Sequence, residues 1–277
     1  MKVDLHIHTT ASDGSWTPEQ LVSNIQQAGI DFFAVTDHDT IANVAQSEQL
    51  ARQYGLHFCK GVEISTTLQG QSFHILGYNI NTEAVELEQL LKHNYALMEE
   101  TDHDSIKKLI AAGIRLDYRE YVDYQHNPAR GGWKSLSFLI DKGLCTDAND
   151  FFANLFTPLV GISFPEFPSP VRAIAAIRQA GGIPVLAHPG SAFHGTDLEE
   201  TLNYFGKEDI AGVECYHPSH KAETIRDAIA WSRRHGKLIT GGSDCHGAFL
   251  PDRKLGYPDV RLEELTLGPI ISWPIDK

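Results

Sequence analysis

Short runs rich in Val, Ile, Leu and Phe alternate along the chain with longer stretches in which apolar residues recur every three or four positions. The short runs, residues 3–7, 32–36, 57–64, 73–78, 183–187, 211–216 and 238–241, read as buried strands. Residues 17–28, 41–54, 169–180 and 220–235 carry helical spacing. Thr17, followed by Pro18 and by Gln20 three positions on, is a helix start, and Gly29, Gly55 and Gly181 are the expected stops. Strands that alternate with helices predict parallel β/α units. One pair departs from this rule. The run 57–64 reaches 73–78 through a short link, Leu68-Gln69-Gly70-Gln71, so a hairpin is predicted there and the fourth strand should run antiparallel.

Residues 81–167 break the rhythm. They are helical in pattern and carry the turn-prone segments HNPARGGW and FPEFPSP near their end. The expected organisation is therefore an α/β barrel made from residues 1–80 and 168–277, with 81–167 inserted as a helical subdomain. Insertions after barrel strands commonly overhang the active site, so this one is expected to act as a lid.

Six of the seven predicted strands run into, or contain, a histidine or carboxylate near their C-terminal end, in the segments HIHTTASD, TDHD, VEIS, AHPG, ECYHPSH and GGSDCHG. The fourth strand carries His74 near its start, which an antiparallel course would bring to the same rim. In a barrel of parallel strands, that rim is where catalytic residues converge. Side chains two apart on a strand share a side, so His6 and His8 should project together, with Asp4 beside them and Leu5 and Ile7 facing an apolar layer. Asp244 and His246 repeat that geometry. Each motif alone is weak, and two surface histidines on an edge strand are an ordinary finding. Buried imidazoles and carboxylates at nearly every strand end are costly unless paired or metal-bound, which favours ligation.

Composition narrows the class. The chain has 277 residues, 14 of them histidine, and a formal net charge of −13. That charge argues against a broad grip on duplex nucleic acid, which draws on many Lys and Arg contacts to phosphate. No apolar run approaches the roughly 20 residues of a membrane span and no signal-peptide pattern opens the chain, so a cytoplasmic protein is expected. The four cysteines are scattered without a CxxC pair, which predicts reduced thiols and no thiolate metal site. Cys245 lies between two candidate ligands but should turn away from both and pack. No GxSxG elbow, P-loop or GxGxxG fingerprint is present. Nothing in the sequence decides the oligomeric state.

The ordered segments DLHIHTTASDG, VTDHD, GVEIS, FHILGY, LAHPG and GSDCHG resemble the motifs of the PHP (polymerase and histidinol phosphatase) family, from Asp4 to His246. The resemblance implies a distorted seven-stranded (β/α) TIM-like barrel holding two or three divalent ions. It also implies a ligand set: His6, His8, Glu63 and Asp244 around one ion, Glu63 bridging to a second held by His74 and His188, and Asp13, His38 and His246 around a third. Nitrogen and oxygen donors suit Mn, Fe or Zn alike. Of the remaining candidates, His217 could touch a substrate phosphate or protonate a leaving group, and Asp39 could donate a proton or, preferably, orient the third-site histidine. Glu214 reads as structural. Arg130 and Lys134 could clamp phosphate, although relatives resemble one another in a Gly-Arg-Pro-His segment where this chain has Pro-Ala-Arg-Gly-Gly-Trp-Lys. His57, His93, His103, His126, His194, His220 and His235 match no motif and read as structural or solvent-facing.

The predicted activity is metal-dependent hydrolysis of a small phosphate ester by hydroxide shared between metals. A nucleotide or metabolite phosphomonoester is the first expectation, and a cyclic phosphate or short oligonucleotide the next. The rivals are an amidohydrolase-type hydrolase of an amide or lactone, since such sites serve both chemistries, and a non-catalytic metal-binding module.

Overall fold

Phe32–Val35 (β2) is buried at all four positions, and such apolar runs line up into one sheet. The computed structural model describes residues 1–157, 160–191 and 197–272. The other strands are Lys2–Asp4 (β1), His57–Leu68 (β3), Gln71–Tyr78 (β4), Ile183–Leu186 (β5), Gly212–Tyr216 (β6), Leu238–Gly241 (β7) and Val260–Arg261 (β8). Their order is β7-β6-β5-β4-β3-β2-β1-β8. The sheet curls into a nearly closed barrel, because the chain leaving β1 meets the far edge. Leu5 N donates to Gly241 O at 3.1 Å, His8 N donates to Cys245 O at 2.9 Å, and Ile7 bridges Cys245 in parallel.

The predicted hairpin is present. β3 and β4 pair antiparallel from Gly61–Tyr78 to Leu68–Gln71, and β4 is also antiparallel to β5. Gln69 and Gly70 both hold positive φ, 53° and 78°, as a two-residue hairpin turn requires. The remaining pairs between β1 and β7 are parallel.

Pro18–Gln27 (α1) starts as its sequence demands, with the Thr17 hydroxyl accepting from Gln20 N and the Gln20 side chain closing a capping box. Its Leu21, Val22 and Ile25 pack with Phe33 and Val35 of β2. Val44–Gln53 (α2) follows on the same side. Pro170–Gln179 (α7) and Ala222–Arg234 (α9) cover the other half of the barrel together with Leu198–Lys207 (α8). Val3, Leu5, Phe32, Ala34, Leu76 and Val185 form a separate apolar cluster that Leu267 and Ile270 join.

Between β4 and α7 lie Val85–Ala111 (α3), Tyr118–Asp123 (α4), Lys134–Asp141 (α5) and Ala148–Asn154 (α6). They share their own core, built on Ile106, Leu109, Tyr121, Phe138 and Phe151, and Phe249 and Leu250 from the loop after β7 pack against it.

Three details differ from expectation. The sheet has an eighth strand, β8, antiparallel to β1; two residues are too few to show a period. Helix α8 is additional, capped by Asp197 and buried through Leu202 and Phe205. β1 ends at Asp4, so Leu5 and Ile7 do not share a layer: Leu5 joins the cluster with Val3, and Ile7 packs with α1 residues. No described helix is long and apolar enough to cross a membrane.

Candidate metal centre

The rim is assembled by backbone hydrogen bonds before any ion is considered. The His6–His8 stretch is pinned between β7 and β2 through the Leu5 and His8 bonds above, and Ile7 N donates to Thr36 Oγ1 at 3.1 Å. β2 delivers Asp37-His38-Asp39, and His38 forms a parallel bridge to Glu63 of β3. β4 brings in His74, β5 runs into His188, and β7 into Asp244 and His246. Asp39, His188 and Asp244 hold φ of 49°, 27° and 50°. Each such conformation costs on the order of 1–3 kcal/mol in a non-glycine residue, a strain typical of sites that must aim a side chain.

Glu63, fully buried, lies at the centre. Its Oε2 is 3.0 Å from His6 Nε2, 3.2 Å from His8 Nε2 and 3.3 Å from His38 Nδ1. Its Oε1 is 3.0 Å from both His74 Nδ1 and His188 Nε2. Asp244 Oδ1 is 3.1 Å from His8 Nε2. Asp13 Oδ1 lies 3.3 Å from His246 Nε2 and 3.5 Å from His8 Nδ1. All nine candidate ligands therefore meet at one place, although His6 and His246 are 240 positions apart.

Eight of these donors form three overlapping groups, each with its ligand atoms within 4.8 Å of one another: His6, His8, Glu63 and Asp244; His38, Glu63 and His74; and His8, Asp13, His38 and His246. His188, expected beside His74 at the second site, reaches Glu63 Oε1 but joins none of these groups, and His38 takes its place. Both nitrogens of His8, Nδ1 of His38 and Oδ1 of Asp244 are buried and make no hydrogen bond. Each such orphan costs about 1–3 kcal/mol unless something else satisfies it. Adjacent divalent cations would satisfy all of them, so the donor set fits that cofactor, and its N and O atoms suit Mn, Fe or Zn.

Electrostatics agree with this. Burial alone would lower the His6 pKa, but Glu63 and Glu214 overcome it and hold the ring at about 10. Burial would likewise raise Glu63 and Asp13, yet the surrounding imidazoles keep both carboxyls well below the usual range. The rim is thus a buried nest of anionic charge that only protons or cations can offset.

Supporting contacts set which ring nitrogen faces inward. Glu214 Oε1 lies 2.9 Å from His6 Nδ1, and its Oε2 accepts from the His188 backbone N at 2.8 Å, so it aims the His6 ring and pins the backbone that carries His188. His246 Nδ1 donates to Asp244 O at 2.7 Å, which leaves Nε2 facing Asp13. His217 differs: Ser219 N donates to its Nδ1 at 3.1 Å, so the neutral ring carries its proton on Nε2, 3.1 Å from Asp244 Oδ2. Burial pushes His217 down to about 3, so it faces the cluster as a neutral N–H donor.

Asp39 is raised by burial to about 6 and accepts from Ser65 N at 3.1 Å and Asn94 Nδ2 at 2.7 Å. Asn94 belongs to α3, so Asp39 ties the rim to the helical segment. Asp37 accepts from Thr9 and Ser12 and holds the loop that carries Asp13. Asp4 accepts from Ser243 N and Gly256 N, each at 2.8 Å, orienting backbone rather than an imidazole.

Arg130 and Lys134 lie apart from this cluster in their contacts. Arg130 pairs with Asp141 at 2.9 Å and donates to Tyr124 Oη, while Lys134 donates to Val122 O over the Tyr121 ring. Their loop does approach the rim, since Gly132 N donates to Asp13 O at 2.8 Å. His220 is structural, accepting from Gly190 N and donating to Cys215 O. Cys245 is buried in the apolar cluster beside α1, where burial lifts its thiol to about 11. All four cysteines are free and buried. His194 lies outside the described residues.

Arg253 was not apparent in the sequence. Its guanidinium Nη1 contacts Asp244 Oδ2 at the cluster, although it sits nine positions beyond that residue in a loop without periodicity. Its closeness to the GSDCHG segment is the only signal that could have drawn attention to it.

Comparison with known proteins agrees with the fold. The PHP domain family matches residues 4–147. A 3',5'-nucleoside bisphosphate phosphatase from Chromobacterium violaceum is 28% identical over 93% of this chain and 91% of its own length. A 5'-3' exoribonuclease from Salmonella typhimurium is 32% identical over 88% of this chain and 84% of its own. Among solved structures, a candidate metal-dependent phosphoesterase from Bifidobacterium adolescentis superposes with a TM-score of 0.80 at 26% identity, covering 92% of this chain and 91% of that one. With half of its length matched by the family and near-complete relatives of the same kind, this chain belongs to the PHP domain family of metal-dependent phosphoesterases.

Proposed function

We propose that this chain hydrolyses a small phosphate ester of a nucleotide, most readily a phosphomonoester, with a cyclic phosphate or the end of a short oligonucleotide as the next candidates. The observation that carries this reading is Glu63, one buried carboxylate shared by five imidazoles at a rim that also holds Asp13 and Asp244. The nucleotide preference is supported by the two relatives above, whose names specify a nucleoside bisphosphate and RNA.

Two or three divalent ions bound by His6, His8, Asp13, His38, Glu63, His74, His188, Asp244 and His246 would supply neutralising charge and lower the pKa of water. The protein's own part is positioning. Water's oxygen adds to phosphorus opposite the ester oxygen, the P–O bond to that ester oxygen breaks, and the departing alkoxide takes up the proton that the attacking water gives up, so that an alcohol and phosphate leave. His217, neutral and with its proton on Nε2, offers an N–H to a phosphoryl oxygen. Asp39, fixed by Ser65 and Asn94, holds the His38 strand end in register with α3. Residues 81–167 serve as the lid, and Arg130 and Lys134 would reach the substrate by exchanging their present partners for phosphate.

A screen of nucleoside monophosphates, a nucleoside 3',5'-bisphosphate, cyclic phosphodiesters and sugar phosphates, with amides and lactones alongside, tests the reading. Turnover of nucleotide esters is expected. Cleavage of an amide or lactone without any phosphate ester would overturn it in favour of the amidohydrolase alternative.

A second expectation concerns Glu214. Glu214→Gln should weaken binding of added Mn about 10–100-fold, the usual cost of losing an outer carboxylate that orients a ligand histidine. Equilibrium titration of the variant against the parent chain checks this, and equal affinities would make Glu214 purely structural.

A further inference from the structure

Arg253 is the single described arginine or lysine whose charged group touches a carboxylate of the cluster. The loop that carries it is fixed at both ends. Ala248 N donates to Ser15 Oγ at 2.7 Å, Arg253 N donates to Leu250 O at 3.0 Å, and Gly256 N donates to the buried Asp4 carboxylate at 2.8 Å. Phe249 and Leu250 are anchored in the core of the helical segment. From this anchored loop the guanidinium faces the rim, close to the negative charge of Glu63 and Asp13 as well as Asp244. Its side chain keeps 34% exposure while that of Asp244 keeps 3%, so it spans the boundary between cluster and solvent.

An arginine here faces a choice of anions. Asp244 turns its unpartnered Oδ1 toward His6 and His8 as a member of one cation group, while Arg253 contacts Oδ2, and a divalent ion held on Oδ1 draws off part of the charge that Oδ2 offers the guanidinium. An incoming phosphoryl group restores negative charge at the same place and offers the planar oxygen pair that a guanidinium fork matches. We propose that Arg253 anchors the phosphoryl group of the substrate above the cluster, exchanging Asp244 for phosphate oxygens when a cation takes that carboxylate. This deepens the phosphoesterase reading and rests on it for the identity of the anion. It also separates roles within the site: His217 gives one N–H from the barrel wall, whereas Arg253 gives a bidentate, permanently charged grip from the solvent side.

The test uses the full chain loaded with Mn, in parent, R253A and R253K forms, and measures binding of inorganic phosphate by calorimetry alongside Mn content and ester kinetics. R253A should bind phosphate at least tenfold more weakly and raise KM more than it lowers kcat. R253K should fall between, because an ammonium keeps the charge and loses the fork. Mn content should be the same in all three. Phosphate affinity and KM unchanged in both variants would overturn the proposal, and so would parental phosphate affinity in R253K with loss only in an R253A that no longer holds Mn. If no phosphate ester is turned over by the parent chain, the phosphoesterase reading fails by itself, and the calorimetric comparison still decides whether Arg253 is an oxyanion anchor.

Discussion

Replacing Glu63 with glutamine should lower phosphate-ester turnover by about 10³-fold or more, equivalent to losing roughly 4 kcal/mol of transition-state stabilisation. The change is nearly isosteric, so packing is preserved while charge is not. In the native site one carboxylate faces His6, His8, His38, His74 and His188 within 3.3 Å, and an amide cannot serve five imidazoles or two cations at once. The fold should survive, because the strands that deliver these side chains are held by backbone bonds and apolar clusters that do not involve the Glu63 side chain. Steady-state kinetics with circular dichroism checks both halves. A folded variant that keeps even a tenth of parental kcat would show that the bridge is not central.

The second large effect is structural. Gly242 lies where β7 passes the His6 backbone, and a Cβ placed there would sit 2.4 Å from His6 Cβ and 2.5 Å from His6 N. Neither atom is the end of a flexible side chain, so backbone must move. Gly242→Ala should therefore cost about 3 kcal/mol or more of folding stability, at the upper end of overpacking penalties, because the displaced segment also closes the barrel. The urea midpoint of the variant measures it. A loss below about 0.5 kcal/mol would mean that the β1–β7 seam yields more easily than its contacts imply.

Much of this architecture is legible in the sequence because it is local. Apolar runs separated by amphipathic stretches mark seven strands, the Gln69-Gly70 link marks the hairpin, and Thr17-Pro18 with Gln20 marks the start of α1. The rim histidines are legible for a related reason. A polar residue at the end of a buried strand is expensive, so a succession of them signals a shared purpose.

What stays hidden is what periodicity does not encode. β8 is two residues long and owes its existence to an open edge of β1. Glu214 reads as structural on its own strand, and only the fold shows that it aims the His6 ring and holds the His188 backbone. The tautomer of His217 depends on Ser219 N, a local backbone turn. Arg253 comes to the cluster through a loop held by Ser15, Asp4 and the helical core, long-range contacts that no motif announces. Arg130 and Lys134 show the converse: a loop with a suggestive sequence whose cations are engaged with Asp141, Tyr124 and Val122.

The most direct measurement is elemental analysis of the full chain after equilibration with Mn, Fe or Zn, with His8→Ala as the comparison. His8 belongs to two of the three donor groups and both of its ring nitrogens are unsatisfied by the protein. The expected result is about two or more equivalents of tightly held metal in the parent chain and a clear deficit in the variant. Fewer than about 0.1 equivalents in a parent preparation that still cleaves its ester would contradict the account.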